Sequence, residues 1–223
     1  MSSPSMFKAI YDSAWHNPVS FWLAIGAFVA YLSTRLGFLR GLCVLFAFVA
    51  AADALLGGGL SPLTRAPKTV STVVAFAFVV LGDLRYFLLL VRFSRQRLDG
   101  RAWLTAAGLS LTVPLVVTPL FLAKVPDRYL WLTYEAAFVA LALAIRQVAL
   151  PRVRGSVAPR TARYLTELTT FEIAQYGLWV AADLVLLSGS SFGYVVRLVP
   201  NLLYYGAFLP FVWWRAPEPL RTS

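Results

Sequence analysis

Seven long, mostly apolar runs follow one another between Pro18 and Trp214, at 18–35, 38–57, 70–92, 103–123, 129–149, 164–187 and 193–214. An α-helix rises about 1.5 Å per residue, so about 20 such residues cross a hydrocarbon layer of about 30 Å. Lipid offers the backbone no hydrogen-bond partners, which leaves helices or a closed barrel as spanning structures. The runs lack the period-two alternation of a barrel strand. The expected fold is therefore all-α, an integral membrane bundle of seven transmembrane helices covering 18–214. An N-terminal segment (1–17) precedes it and a tail (215–223) follows, with no room for a separate soluble domain.

Composition agrees: 59% of residues are hydrophobic and 13% charged, against about 25% charged in ordinary soluble domains. The net charge of +10 suggests nucleic acid only until the charges are placed. One set of alternate loops and the tail holds Arg35, Arg40, Arg92, Arg95, Arg97, Arg101, Arg146, Arg152, Arg154, Arg160, Arg163, Arg215 and Arg221. The other set holds Lys8, Arg65, Lys68, Lys124 and Arg128. By the positive-inside rule the N-terminus is expected outside and the C-terminus in the cytoplasm. The arginine-rich loops then face anionic lipid headgroups, the expected partner, and no nucleic acid is implied. Heavy use of Arg over Lys and abundant Ala point to a bacterial inner membrane.

The first apolar run is too long for a signal-peptide core and lacks a small-residue cleavage site, so it is expected to be retained. Upstream, Phe7, Ile10, Tyr11 and Trp15 fall on one helical face, while Lys8 and Asp12 face elsewhere. The segment reads either as a short helix on the membrane surface or as a disordered terminus. Cys43 is the only cysteine and His16 the only histidine. Those counts exclude His-rich zinc sites, bis-His haem and cysteine-pair redox chemistry, and no metal or cofactor is expected.

An internal repeat is legible. Ala27-Phe28-Val29-Ala30 recurs as Ala137-Phe138-Val139-Ala140. Phe48-Val49-Ala50-Ala51-Ala52-Asp53 is echoed, one residue shorter, by Trp179-Val180-Ala181-Ala182-Asp183. Gly82-Asp83-Leu84-Arg85-Tyr86-Phe87 lies over Pro200-Asn201-Leu202-Leu203-Tyr204-Tyr205. The fourth segment, with Pro114 and Pro119, has no counterpart. A 3+1+3 plan follows, in which the single connecting helix makes the two halves parallel repeats; transporters of that kind bind solute between the halves, near the midplane. Chance matching of Ala- and Val-rich helices is the competing explanation.

Seven charged residues lie four or more positions in from the ends of the runs: Asp53, Asp83, Arg85, Glu135, Glu172, Asp183 and Arg197. Each unpaired charge at a span's centre costs about 2.5–3.5 kcal/mol, so most must be paired, neutralised, wetted or near an interface. Counted along the spans, Asp53, Glu135, Asp183 and Arg197 lie roughly 6–10 Å outward of the middle, Arg85 and Glu172 about 6 Å inward. Asp83 and Asn201 sit within about 5 Å of the middle. The expected arrangement is an outer cluster of three carboxylates with Arg197, an inner Arg85–Glu172 pair, and an Asp83/Asn201 site between them. Wetted helix ends for Asp53 and Asp183, and a snorkelling Arg85, are the alternatives. Asp83 is too short to reach either surface, so it needs partners from other helices. Pro200 interrupts the hydrogen-bond ladder of the last segment, beside Tyr176, Trp179, Tyr204 and Tyr205 as possible cavity walls.

With Val199-Pro200-Asn201, the 3+1+3 plan and an outside N-terminus, the chain resembles the SWEET and PQ-loop sugar-transporter group. That resemblance implies a pocket containing Asn201, Asp83 in place of an asparagine, and Trp179 with Phe48. The chain departs from the pattern in having no Pro-Gln dipeptide and no proline mid-way along the first and fifth segments.

The sequence thus points to a small-solute or ion/proton-coupled transporter with substrate-binding residues Asp83, Asn201, Trp179, Tyr204, Tyr176 and Phe48. The competing reading is a membrane sensor, or an accessory subunit of a membrane complex, acting through the basic loops. Neither Gly82-Asp83, with Val80 where an intramembrane aspartyl protease carries glycine, nor Ser188-Gly189-Ser190-Ser191, with no histidine nearby, supports an enzyme. The lysines Lys8, Lys68 and Lys124 all lie outside the last segment, which excludes a retinal Schiff base there.

Overall fold

The computed structural model describes residues 5–12, 18–32, 37–57, 61–96 and 99–218. Trp15, His16, Arg35, Arg97 and Arg221, weighed above, lie outside them. The described residues are helical throughout, with no strand. In chain order the helices are α1 (Met6–Tyr11), α2 (Pro18–Leu32), α3 (Phe38–Gly57), α4 (Lys68–Arg95), α5 (Gly100–Leu122), α6 (Asp127–Val153), α7 (Pro159–Leu187) and α8 (Gly193–Arg215). A short 3₁₀ turn, Pro62–Arg65, joins α3 to α4.

Local chemistry sets the ends. Pro67 and Pro126 stand immediately before α4 and α6, and Pro159 occupies the first turn of α7, where its missing N–H costs nothing. The Asp99 carboxylate caps α5 by accepting from the Ala102 N–H at 2.8 Å. α4 closes on Gln96 in the left-handed region, φ 59°, with Arg92 and Arg95 in its last turn, where cations offset the helix dipole.

Six helices, α3 to α8, are long and apolar enough to cross a membrane. The first apolar run is seen as α2, whose described 15 residues rise about 22 Å, less than the hydrocarbon thickness. The span count by length is thus six, against the seven read from hydropathy.

Buried residues place α4 at the centre of one half of the bundle. Tyr86, Phe87, Leu88, Leu89, Leu90 and Val91 are all buried in succession, which requires neighbours on every side. α5 is the opposite case. Ala102, Ala106, Ser110, Val113 and Val117 form one narrow buried stripe, while Leu104, Leu115, Val116 and Leu122 face outward. Small residues at that spacing let α5 lie closely along α4, and the apolar remainder suits lipid.

Chain ends collect by charge. At one end Phe38 meets Phe93, Phe93 meets Tyr164, Arg40 lies 4.9 Å over Trp213, and Arg215 pairs with Glu167 at 2.8 Å. This is the arginine-rich end. At the opposite end Lys68 reaches Asp127 at 2.9 Å and α1 rests on the start of α8.

Candidate functional site

Asp83, in the middle of α4 and 2% exposed, accepts two hydrogen bonds. The Tyr176 hydroxyl of α7 donates to Oδ1 at 2.5 Å, and the Tyr134 hydroxyl of α6 donates to Oδ2. Two donors on one carboxylate remove most of the cost of burying it. Both rings are held from behind: Tyr176 stacks on Phe138 at 3.9 Å, and Tyr134 packs edge-on against Phe76 and Trp131.

Further along the same seam, Tyr86 of α4 shares a hydrogen bond with Thr169 of α7 at 3.0 Å. As α4 advances from Asp83 to Tyr86, α7 retreats from Tyr176 to Thr169, so the two run antiparallel. Residues 169, 172 and 176 lie on one helical face, which sets buried Glu172 between those two levels. Gln175, fully buried beside them, has no hydrogen-bond partner for either amide atom among the described residues.

Arg85 takes a course that charge counting does not anticipate. Its guanidinium lies 4.3 Å from the Tyr204 ring centroid and 4.0 Å from that of Phe208, and Nη1 donates to the Tyr204 carbonyl at 3.2 Å. Among the described residues it forms no ion pair with Glu172, so the expected inner pair is replaced by a ring-lined seat for the cation.

The outer cluster is likewise rearranged. Arg197 of α8 pairs with Asp183 and reaches Glu135 at 3.6 Å. Arg128, counted above as a loop charge, turns inward to Asp183 at 2.9 Å. Two guanidiniums thus face two carboxylates. Asp53 stands apart from them and accepts instead from the Tyr205 hydroxyl at 3.0 Å.

Between these groups and the end opposite the arginines lies a cavity of about 230 Å³. Its walls are Tyr134, Tyr176, Trp179, Tyr204 and Tyr205, with Trp131, Asp53, Glu135, Arg197 and Asn201. Trp179 Nε1 donates to Asn201 Oδ1 at 2.8 Å, and Asn201 Nδ2 donates to the Tyr11 hydroxyl at 3.3 Å. Tyr11, from α1, lines the cavity at the end opposite the arginines. A second, larger recess of about 480 Å³ adjoins it, sharing Asp53, Ala75 and Trp131 and adding Ser61, Lys68, Ser71 and Thr72.

Of the residues singled out in the sequence, Asn201, Trp179, Tyr204 and Tyr176 line this cavity, and Asp83 lies directly behind Tyr134 and Tyr176. Phe48 does not join them and corrects that expectation: it is 56% exposed on the outside of α3. Five residues from Asp53, it lies about 140° away around the helix, so the two cannot face one cavity. Tyr134, Trp131, Tyr11 and Arg128 were not singled out. Arg128 and Glu135 are seven residues apart, two turns on one face of α6, and that spacing was the available signal.

The backbone of α8 also departs from regular helix here. A π-helical turn, Leu203–Ala207, falls between Pro200 and Pro210 and carries Tyr204 and Tyr205. The extra residue per turn re-aims both rings, one against α4 and the other at Asp53. Gly82 makes room for the first, since a Cβ there would overlap the Tyr204 ring and hydroxyl. Comparison with protein-family models, curated proteins and solved structures finds no match for the chain.

Proposed function

We propose that this multi-pass membrane protein is a carrier that takes a small solute or ion into the cavity beside Asp83 and releases it at the arginine-rich end. One observation carries the reading. The cavity is walled by Tyr134 of α6 and Tyr176 of α7, and both hydroxyls hold the buried carboxylate of α4 that lies directly behind them. Movement of α2–α4 against α6–α8 would therefore break or remake the Asp83 contacts, which is what coupling a gate to a proton-carrying group requires. Supporting this, the route from cavity to arginine-rich end is filled by Tyr86, Phe87, Leu89 and Phe93, all buried, so one side is accessible and the other shut.

The finer architecture belongs to the same proposal. α2 is the seventh span, α5 is the connector of a 3+1+3 repeat, and the arginine-rich end faces the cytoplasm. Recurrence of α3 packed on both α2 and α4, and α7 on both α6 and α8, is in keeping with the repeat. The membrane is a cell membrane, bacterial by composition.

Uptake of protons and of a solute panel into proteoliposomes tests the carrier. Wild-type protein is expected to show saturable uptake, and Asp83→Asn to abolish proton-coupled accumulation while leaving the protein monodisperse. Absence of uptake across the panel, with a membrane complex co-purifying in fixed stoichiometry, would instead establish the accessory-subunit or sensor reading.

A further inference from the structure

The cavity's hydrogen-bond donors are almost all committed within the protein. The Tyr134 and Tyr176 hydroxyls are turned to Asp83, the Tyr205 hydroxyl to Asp53 and the Trp179 N–H to Asn201. Arg197 is engaged by Asp183 and Glu135. The Trp131 N–H and Arg197 Nε are left over as donors, and the rest of the lining offers acceptor oxygen and the faces of aromatic rings. Glu135, 4% exposed, keeps Oε2 without any hydrogen-bond partner among the described residues, and Asp53 borders both the cavity and the outer recess.

Charge points the same way. Deep in the bundle Asp53, Asp83, Glu135, Glu172 and Asp183 are grouped with Arg85, Arg128 and Arg197. Arg128 and Arg197 both engage Asp183, Glu135 is reached only by Arg197 at 3.6 Å, and Asp53 forms no ion pair among the described residues. The cavity wall therefore carries two carboxylates, Asp53 and Glu135, against one arginine that is shared with Asp183. A sugar needs donors and acceptors in comparable number, and this lining has spent most of its donors. A cation needs carboxylate oxygens and π-faces, which attract ammonium groups through the ring quadrupole.

We infer that the cavity is a binding site for a small organic cation, an ammonium group on a short apolar body. Asp53 and Glu135 supply the countercharge, and Trp131, Trp179, Tyr204 and Tyr205 form the cage. The volume of about 230 Å³ has room for a quaternary ammonium alcohol. This inference names the solute class for the carrier proposed above and rests on that reading for its physiological meaning, though not for its chemistry.

Choline is the probe, measured by equilibrium binding to the full chain in nanodiscs, with no flux involved. Saturable choline binding is expected, with 3,3-dimethylbutanol, its neutral isostere, at least about tenfold weaker. Asp53→Asn and Glu135→Gln, both isosteric, are each expected to weaken choline about tenfold and to leave the isostere unchanged. Equal affinity for choline and its isostere, displacement of bound choline by glucose, or no saturable binding of either choline or tetramethylammonium at millimolar concentration overturns the inference. The wild-type comparison stands whether or not a variant folds. Choline bound but not transported into proteoliposomes removes the carrier and keeps the site; transport of some other solute without choline binding does the reverse.

Discussion

Gly82 and Tyr204 meet where α4 and α8 approach each other, and the ring fills the space a side chain on residue 82 would need. Gly82→Ala is expected to destabilise the protein by about 1–3 kcal/mol through overpacking, read by thermal unfolding in detergent. Tyr204→Phe in the same chain removes the closest atom, so the double variant should recover at least about 0.5 kcal/mol relative to additivity; strict additivity would show that the two do not press on each other. Asp183 sits between Arg128 and Arg197. Asp183→Asn leaves both guanidiniums facing a neutral amide, and a cost of about 3–5 kcal/mol is expected, measured the same way and absent if water reaches the pair. At this scale the sequence singled out Asp83 because a short acid mid-span must be met from elsewhere. It named Tyr176 as a cavity wall but not as a partner of Asp83, and did not name Tyr134, because the rotation of α6 and α7 about their axes is decided by packing and leaves no periodic mark in α4. Phe48 failed for a plainer reason: its five-residue spacing from Asp53 turns it away from the cavity.

α1 is a six-residue helix that no isolated peptide would sustain. It is held by the Ser5 side-chain cap, the Lys8–Asp12 pair, Phe7 against Phe192 at 5.8 Å and Tyr11 against Tyr194 at 5.6 Å. Its aromatic face was legible as a repeating pattern, but lipid and protein are equally good partners for such a face. Here the partner is α8, and Tyr11 lines the cavity. A thiol placed at residue 201 (Asn201→Cys) should react slowly with a water-soluble maleimide, and Tyr11→Ala should accelerate it by about tenfold or more. Unchanged rates would show that α1 does not restrict entry. The native Cys43 is fully buried and gives no background. In α8, Pro200 marked the helix as irregular, yet the irregularity lies three residues later, at the π turn, where Gly206 and Pro210 loosen the ladder.

Across the whole molecule, hydropathy set the class and most of the span boundaries, and loop arginines set one end apart from the other. Cysteines at Ser156, by the arginine-rich end, and Ser190, by the opposite end, are both exposed. In intact cells a membrane-impermeant maleimide should label Ser190→Cys and spare Ser156→Cys; the reverse pattern would invert the proposed orientation. The grouping of charges into specific pairs was not legible, since depth along a span says nothing of azimuth. One consequence concerns voltage. In the proposed carrier the cavity and its recess open to one bathing solution, so the membrane field would fall mainly across the packed stretch from Tyr86 to Phe93. A monovalent cation passing from the cavity to the arginine-rich end would then traverse nearly the full drop, about 2.3 kcal/mol per 100 mV, and the membrane potential would bias its net flow alongside the concentration gradient.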